Sequence, residues 1–123
     1  MKVIITGSRT ITNKDIVFAL IDHIINIELK GPIIINEIVS GTANGVDKLG
    51  EEWANKHNIV VKQFPAYWKE YGKMAGYIRN EEMVKYADFA IILWDGKSRG
   101  TNNTINLMIK YNKPYELRTI NVD

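Results

Sequence analysis

Phe89-Ala90-Ile91-Ile92-Leu93-Trp94 runs into Asp95-Gly96-Lys97-Ser98-Arg99-Gly100, and Thr101 to Asn112 follows. Six consecutive apolar residues bounded by a polar, glycine-bearing loop read as a strand covered on both faces. Ile105, Leu107, Met108 and Ile109 then mark the inward side of a helix. Strand, glycine loop and helix together are the repeating half-unit of a parallel α/β sheet.

Upstream, the same unit recurs. Val3-Ile4-Ile5 ends in the turn Thr6-Gly7-Ser8. A helix follows, opened by Thr12 and Asp15 at a spacing that resembles a capping box. Its inward face is Ile16, Leu20, Ile24 and Ile27, until Lys30-Gly31-Pro32 stops it. Glu37 to Ser40 is the second strand, with Ile33-Ile34-Ile35 as its lead-in or part of the connection. After the turn Gly41 to Gly45, a second helix presents Val46, Leu49, Trp53, Ala54 and His57. Ile59 to Phe64 is the third strand, and Pro65 to Lys73 reads as irregular. Met74 to Tyr86 is a helix with Ile78, Met83 and Tyr86 inward, and Tyr115 to Ile120 is the last strand. The expectation is one domain over residues 1–123, a Rossmann-like three-layer α/β sandwich on a parallel sheet of about five strands.

Composition narrows the chemistry. The 123 residues hold no Cys, so disulfides, thiolate nucleophiles and Cys-ligated metals are excluded. Sixteen Lys+Arg against 14 Asp+Glu give a net charge of +2, too little for wholesale nucleic-acid or anionic-membrane binding. The start of the chain has only three consecutive apolar residues, short of a signal or membrane segment, and a cytoplasmic protein is expected.

Three glycine-bearing turns fall at the carboxyl ends of predicted strands, where open parallel sheets bind ligands and helix N-termini attract anions. They are Thr6-Gly7-Ser8-Arg9, Ser40-Gly41-Thr42-Ala43-Asn44-Gly45-Val46-Asp47, and Asp95-Gly96-Lys97-Ser98-Arg99-Gly100-Thr101. Any one of them is what chain geometry requires between strand and helix. Three on one edge, two with an arginine, describe a phosphate cradle. With helices opening where they are read here, no glycine-lysine-serine/threonine sequence opens one, and no turn is a complete G-x-G-x-x-G, which disfavours a kinase or dehydrogenase.

Residues 64 to 80 hold five of the chain's twelve aromatics, Phe64, Tyr67, Trp68, Tyr71 and Tyr77, beside Lys69, Lys73 and Arg79. The mix could stack a base, but folding of most of these rings onto the core is the expectation. Arg79, read at the start of a helix beside Asn80, has little structural reason unless it meets an anion or carboxylate. His23 and His57 lack a second ligand at metal spacing, and no metal site is expected. Glu51-Glu52 and Glu81-Glu82 read as first-turn residues compensating helix dipoles. Asp47 and Asp95, inside glycine loops, could accept a ribose hydroxyl or cap a turn.

In this order the loops resemble those of the small stand-alone SLOG proteins of the YspA/YpsA-related type. The resemblance runs through the three turns above, Phe64-Pro65-Ala66, and Gly76-Tyr77-Ile78-Arg79-Asn80-Glu81-Glu82-Met83. It implies a Rossmann-like fold that binds nucleotides or nucleotide-derived molecules, ADP-ribose derivatives included, and it implies a homo-oligomer. It also reaches two relatives, the LOG-type phosphoribohydrolases and the DprA-type proteins that use this fold on single-stranded DNA. Arg79-Asn80-Glu81-Glu82-Met83 is similar to the R-K-x-x-M motif of the first, and Ser98 to Thr104 is similar to their P-G-G-x-G-T-x-x-E, with Thr104 in place of the glutamate. A threonine cannot serve as that carboxylate. Asn44 stands where relatives often carry a basic residue.

The expected function is therefore binding of a nucleotide-type small molecule, with no catalytic residue and no resident cofactor. The protein would sense or sequester a nucleotide signal. Phosphate would rest on Gly7, Gly41 and Gly100, neutralised by Arg9, Arg79 and Arg99. Ser8 and Thr101 would supply hydroxyls, and Asp47 or Asp95 would hold ribose. Nucleotide cleavage and single-stranded DNA binding are the alternatives.

Overall fold

The computed structural model describes residues 1–28 and 34–122. Apolar runs with a period of two build its centre. In β1 (Lys2–Gly7), Val3 and Ile5 point to one face and Ile4 to the other. In β4 (Phe89–Trp94), Phe89, Ile91 and Leu93 join the first face, while Ala90 and Ile92 join the second. These two strands pair in parallel, Ile5 beside Ile91 and Gly7 beside Leu93. They are buried on both faces because helices cover both.

On the first face lie α1 (Lys14–His23), continued by a π-helical turn over Ile24–Glu28, and α2 (Val46–Lys56). Val17, Ile21, Ile24, Val46 and Trp53 pack there against Val3, Ile5 and Ile38. After β2 (Glu37–Ser40) and β3 (Val60–Gln63), a four-residue α3 (Trp68–Tyr71) and a 3-10 turn lead into α4 (Ala75–Tyr86). The second face is covered by Met83 and Val84 of α4 together with Ile105 and Met108 of α5 (Arg99–Lys110). The last strand is β5 (Tyr115–Thr119).

All five strands are parallel, in the order β3-β2-β1-β4-β5. The chain builds outward from β1 through β2 to β3, then crosses back to lay β4 on the other side of β1. The loops after β1 and β4 therefore diverge from neighbouring strands, which opens a crevice at this switch point. The strands approach so closely there that a Cβ on Gly7 would lie 2.0 Å from the Leu93 carbonyl oxygen.

Several local expectations are corrected. Asn13, not Thr12, caps α1, its side chain accepting from the Ile16 amide at 3.1 Å. The inward face of α1 is Val17 and Ile21, continued by Ile24 of the π-helical turn, and Ile16 is exposed. Ile109 of α5 is likewise exposed. Residues 65–73 contain α3 rather than being wholly irregular. Glu51-Glu52 and Glu81-Glu82 lie in the middle of α2 and α4, so the helix dipole does not account for them. Glu51 accepts from the Ser40 hydroxyl at 2.6 Å, and Glu81 accepts from the Tyr111 hydroxyl at 2.8 Å. His57 stacks on Trp53, ring centroids 4.1 Å apart. The expected stop at Lys30-Gly31-Pro32, and Ile33, lie outside the described residues.

Candidate functional site

A cleft of about 380 Å³ occupies the switch point. The β1–α1 loop contributes Gly7, Arg9 and Thr10, and the β2–α2 connection Ala43 and Asp47. From α4 come Arg79 and Asn80, and from the β4–α5 side Asp95, Lys97, Ser98, Gly100, Thr101 and Thr104. Nine of the expected site residues thus meet in one cleft.

Asp47 is the most deeply set of them, 3% exposed. The Thr6 hydroxyl donates to its Oδ1 at 2.7 Å and the Ala43 amide to its Oδ2 at 3.2 Å. Burial raises its pKa above the ordinary 3.8, and these bonds and the charge of Arg79 oppose the shift. Arg79 sits in the second turn of α4 rather than at its start. It also has structural partners: Nε donates to Asn80 Oδ1 at 2.8 Å, and Nη1 donates to the Gly41 carbonyl. Its pKa is lowered first by burial and then by the nearby charge of Arg9, while Asp47 opposes both. No hydrogen bond or ion pair holds Arg9 among the described residues, and its guanidinium lines the same cleft as that of Arg79.

Asp95 is organised differently. Its Oδ1 accepts from the amides of Lys97 and Ser98, both at 2.8 Å, and its Oδ2 accepts from the Thr10 hydroxyl at 2.8 Å. These donors hold its pKa at about 2, so it is ionised at neutral pH and shapes the loop into α5. Ser98 caps α5, accepting from the Thr101 amide at 3.4 Å and hydroxyl at 3.1 Å. Gly100 lies in the first helical turn, and a Cβ there would meet nothing within 4 Å. An open, positively polarised helix N-terminus therefore faces the cleft.

Other expected residues support the site from behind. Ser8 is fully buried, and its hydroxyl accepts from the Asp95 amide at 2.9 Å. Ser40, also fully buried, bonds to Glu51 and accepts from the Thr42 amide at 3.1 Å. Gly45 begins α2 at φ 79°, a conformation glycine supplies freely, and Gly96 turns at φ 82°. Gly41 accepts from Arg79, Thr42 takes φ 65°, and Asn44 is exposed. Arg99 is exposed and does not line the cleft, whereas Lys97 does. Sequence reasoning missed Thr6, Thr10, Ala43, Lys97 and Thr104 as lining residues. Thr10 and Lys97 carried a signal, since Thr10 follows the turn that ends in Arg9 and Lys97 lies within the turn that contains Arg99.

Gly96-Lys97-Ser98 does open α5, because the helix begins at Arg99 and Ser98 caps it. The first glycine of a Walker A loop would fall at Ile91, which is fully buried inside β4, so no phosphate-wrapping loop precedes it. Another correction concerns the aromatics. Tyr67, Trp68, Tyr71 and Tyr77 are 54%, 53%, 47% and 40% exposed, and only Phe64 packs on the core.

Residues 1–71 match the family described as YspA, cpYpsA-related SLOG. The chain belongs to this SLOG family. A curated relative, the Gene 61 protein of Mycobacterium phage D29, is 30% identical over 108 residues, 83% of each chain. DNA processing protein A from Helicobacter pylori, whose structure was described for its single-stranded DNA binding mode, shares the fold with a TM-score of 0.63 and 25% identity. The similarity covers 95% of the SLOG chain and 64% of that protein's chain, so less than two thirds of DNA processing protein A is represented. Among the described residues, no helix of the SLOG chain is long and apolar enough to cross a membrane.

Proposed function

We infer that the cleft binds the phosphate of a nucleotide-type small molecule, such as a nucleoside phosphate or an ADP-ribose derivative. The observation that carries this reading is the convergence of Arg9, Arg79 and Lys97 on the open N-terminus of α5 at Gly100. Cations, free amides and a missing side chain at one place are what an anion requires. Asp47 and Asp95 already have partners that fix them, so either would accept a ribose hydroxyl only with its remaining lone pairs. The protein holds its ligand as a sensor or as a sequestering protein for a nucleotide signal, and self-association goes with the family resemblance. Similarity to a phage protein supports a setting in phage–bacteria conflict.

Native mass spectrometry of the purified protein tests the reading by its retained ligand. Titration with adenosine 5′-monophosphate and ribose 5-phosphate then tests the residues. Arg79→Ala weakens both more than tenfold, and Arg99→Ala changes neither by more than about twofold. A larger loss at Arg99 than at Arg79 would move the phosphate out of the cleft.

Exposure of four aromatics favours a second reading, binding of single-stranded DNA, in line with the fold shared with DNA processing protein A. Steeply salt-dependent binding of an oligodeoxynucleotide distinguishes it from small-molecule binding.

A further inference from the structure

Beside the cleft lies a second cavity of about 190 Å³. The two share Arg9, Arg79, Asn80 and Gly100, and the far wall of the smaller one is Trp68, Lys73, Gly76 and Tyr77. Whole-ligand pockets span about 300–1,000 Å³, so the cleft is large enough for a ligand and the side cavity only for part of one. The shared arginines put the smaller space directly beside the larger.

Its chemistry differs from the cleft's. Gly76 brings Trp68 against α4: a Cβ there would lie 3.4 Å from Trp68 Cη2 and 3.7 Å from Arg79 Nη2. The indole and the guanidinium thus flank one helical position. Trp68 and Tyr77 are half-exposed, and neither ring stacks on another ring or carries a cation over its face among the described residues. Water is a poor partner for such faces, whereas a flat heteroaromatic ring is a good one.

We propose that the Trp68–Tyr77 cavity is the base subsite of the ligand whose phosphate lies between Arg9 and Arg79. This rests on the cleft being the phosphate site and adds the orientation of the ligand: base toward α3, with the ribose joining that base to the phosphate at the arginines. The ligand class is a nucleoside phosphate with one base stacked outside the main cleft.

The test compares adenosine 5′-monophosphate with ribose 5-phosphate, which has a hydroxyl in place of the base, and with a short oligodeoxythymidylate, by calorimetric titration of wild type, Trp68→Ala, Trp68→Phe and Arg79→Ala. Circular dichroism confirms each fold. Trp68→Ala is expected to weaken adenosine monophosphate about tenfold and to leave ribose 5-phosphate unchanged, the scale of base–aromatic stacking. Trp68→Phe keeps a flat face and restores most of the affinity. Unchanged adenosine monophosphate binding in Trp68→Ala, with both ligands lost in Arg79→Ala, overturns the base subsite and leaves the phosphate cleft standing. Indifference of both ligands to Arg79→Ala overturns the cleft and the subsite together. If Trp68→Ala loses only a short oligodeoxythymidylate, the ring serves a nucleic-acid strand and the proposal fails.

Discussion

Arg79 Nε donates to the side-chain oxygen of Asn80 at 2.8 Å, so a residue on α4 is steered by its own chain neighbour. Asn80 in turn donates to Asn103 Oδ1 at 3.0 Å and to the Gly100 carbonyl at 3.3 Å, and it is 5% exposed. The amide therefore ties the guanidinium to the first turns of α5, the two parts of the cleft proposed to hold the phosphate.

Asn80→Asp tests that tie. The new oxygen would oppose the Gly100 carbonyl and the Asn103 oxygen, where the amide now donates, and the added charge would neutralise Arg79. Loss of satisfied buried bonds costs about 1–3 kcal/mol, and a neutralised arginine no longer attracts phosphate. Urea denaturation should show the destabilisation, and titration with adenosine 5′-monophosphate should show more than tenfold weaker binding. Unaltered affinity in a folded variant would contradict the steering role.

Two glycines separate binding from stability. A Cβ on Gly41 would lie 2.7 Å from Asp47 Oδ2 and 3.0 Å from Arg79 Nη1, so Gly41→Ala must displace the guanidinium or strain the turn, at about 1–3 kcal/mol. A Cβ on Gly100 meets nothing, and alanine in a helix gains about 0.4–1 kcal/mol over glycine. Gly100→Ala should therefore raise the melting temperature while weakening nucleotide binding, and Gly100→Val should abolish binding without unfolding the protein. Gly41→Ala should lower both. Full binding by Gly100→Val would place the ligand elsewhere.

Asp47 and Asp95 should give opposite pH dependences on either side of 3.8. Asp95 has its pKa depressed to about 2, so its contribution is present above 3.8 and is lost as pH falls toward 2. Asp47 has its pKa raised by burial, so the folded state holds its proton longer than the unfolded chain does. Stability then falls as pH rises from 3.8 through the raised value. Urea midpoints across this range, compared between wild type, Asp95→Asn and Asp47→Asn, resolve the two. Asp47→Asn should remove the decline above 3.8, and Asp95→Asn the rise below it. A decline that persists in Asp47→Asn would assign it to another group.

The strands were legible because β1 and β4 consist of uninterrupted apolar residues that need cover on both faces. The face of α1 is legible only in part: Ile24 is inward as expected, but Ile16 and Val17 are adjacent and both apolar, and it is Val17 that is buried. Aromatic content suggested burial for Tyr67, Trp68 and Tyr71, yet they belong to a one-turn α3 and its flank, whose packing is against α4 and the following turn. The three turns of the site were visible as glycine patterns. Their roles were not, because the bond from Thr6 to Asp47 spans 41 positions and the one from Arg79 to Gly41 spans 38. Such partners meet only after strand order is set, which is why Ser8 and Ser40 looked like ligand contacts and are instead enclosed braces.

Thr104 carries the last prediction, which separates holding a nucleotide from cleaving it. Its side chain is 1% exposed, lines the cleft and donates to the Gly100 carbonyl at 3.3 Å, in the place of the glutamate of the similar phosphoribohydrolase motif. A neutral hydroxyl committed to the helix backbone offers neither a base nor a charge to an oxocarbenium-like centre. Of the carboxylates nearby in sequence that could take its place, Glu81 is engaged by Tyr111 and Lys110, and neither it nor Glu82 lines the cleft. Asp95 does line it, with three donors already on its oxygens. Prolonged incubation of excess wild-type protein with adenosine 5′-monophosphate, followed by heat denaturation and chromatography, should return the nucleotide intact. Thr104→Glu should release a small amount of adenine, because the phosphate contacts remain and only the missing carboxylate is supplied. Adenine released by the wild type and absent with Asp95→Asn would show that Asp95 performs glycosidic chemistry, and the binding-only reading would fall.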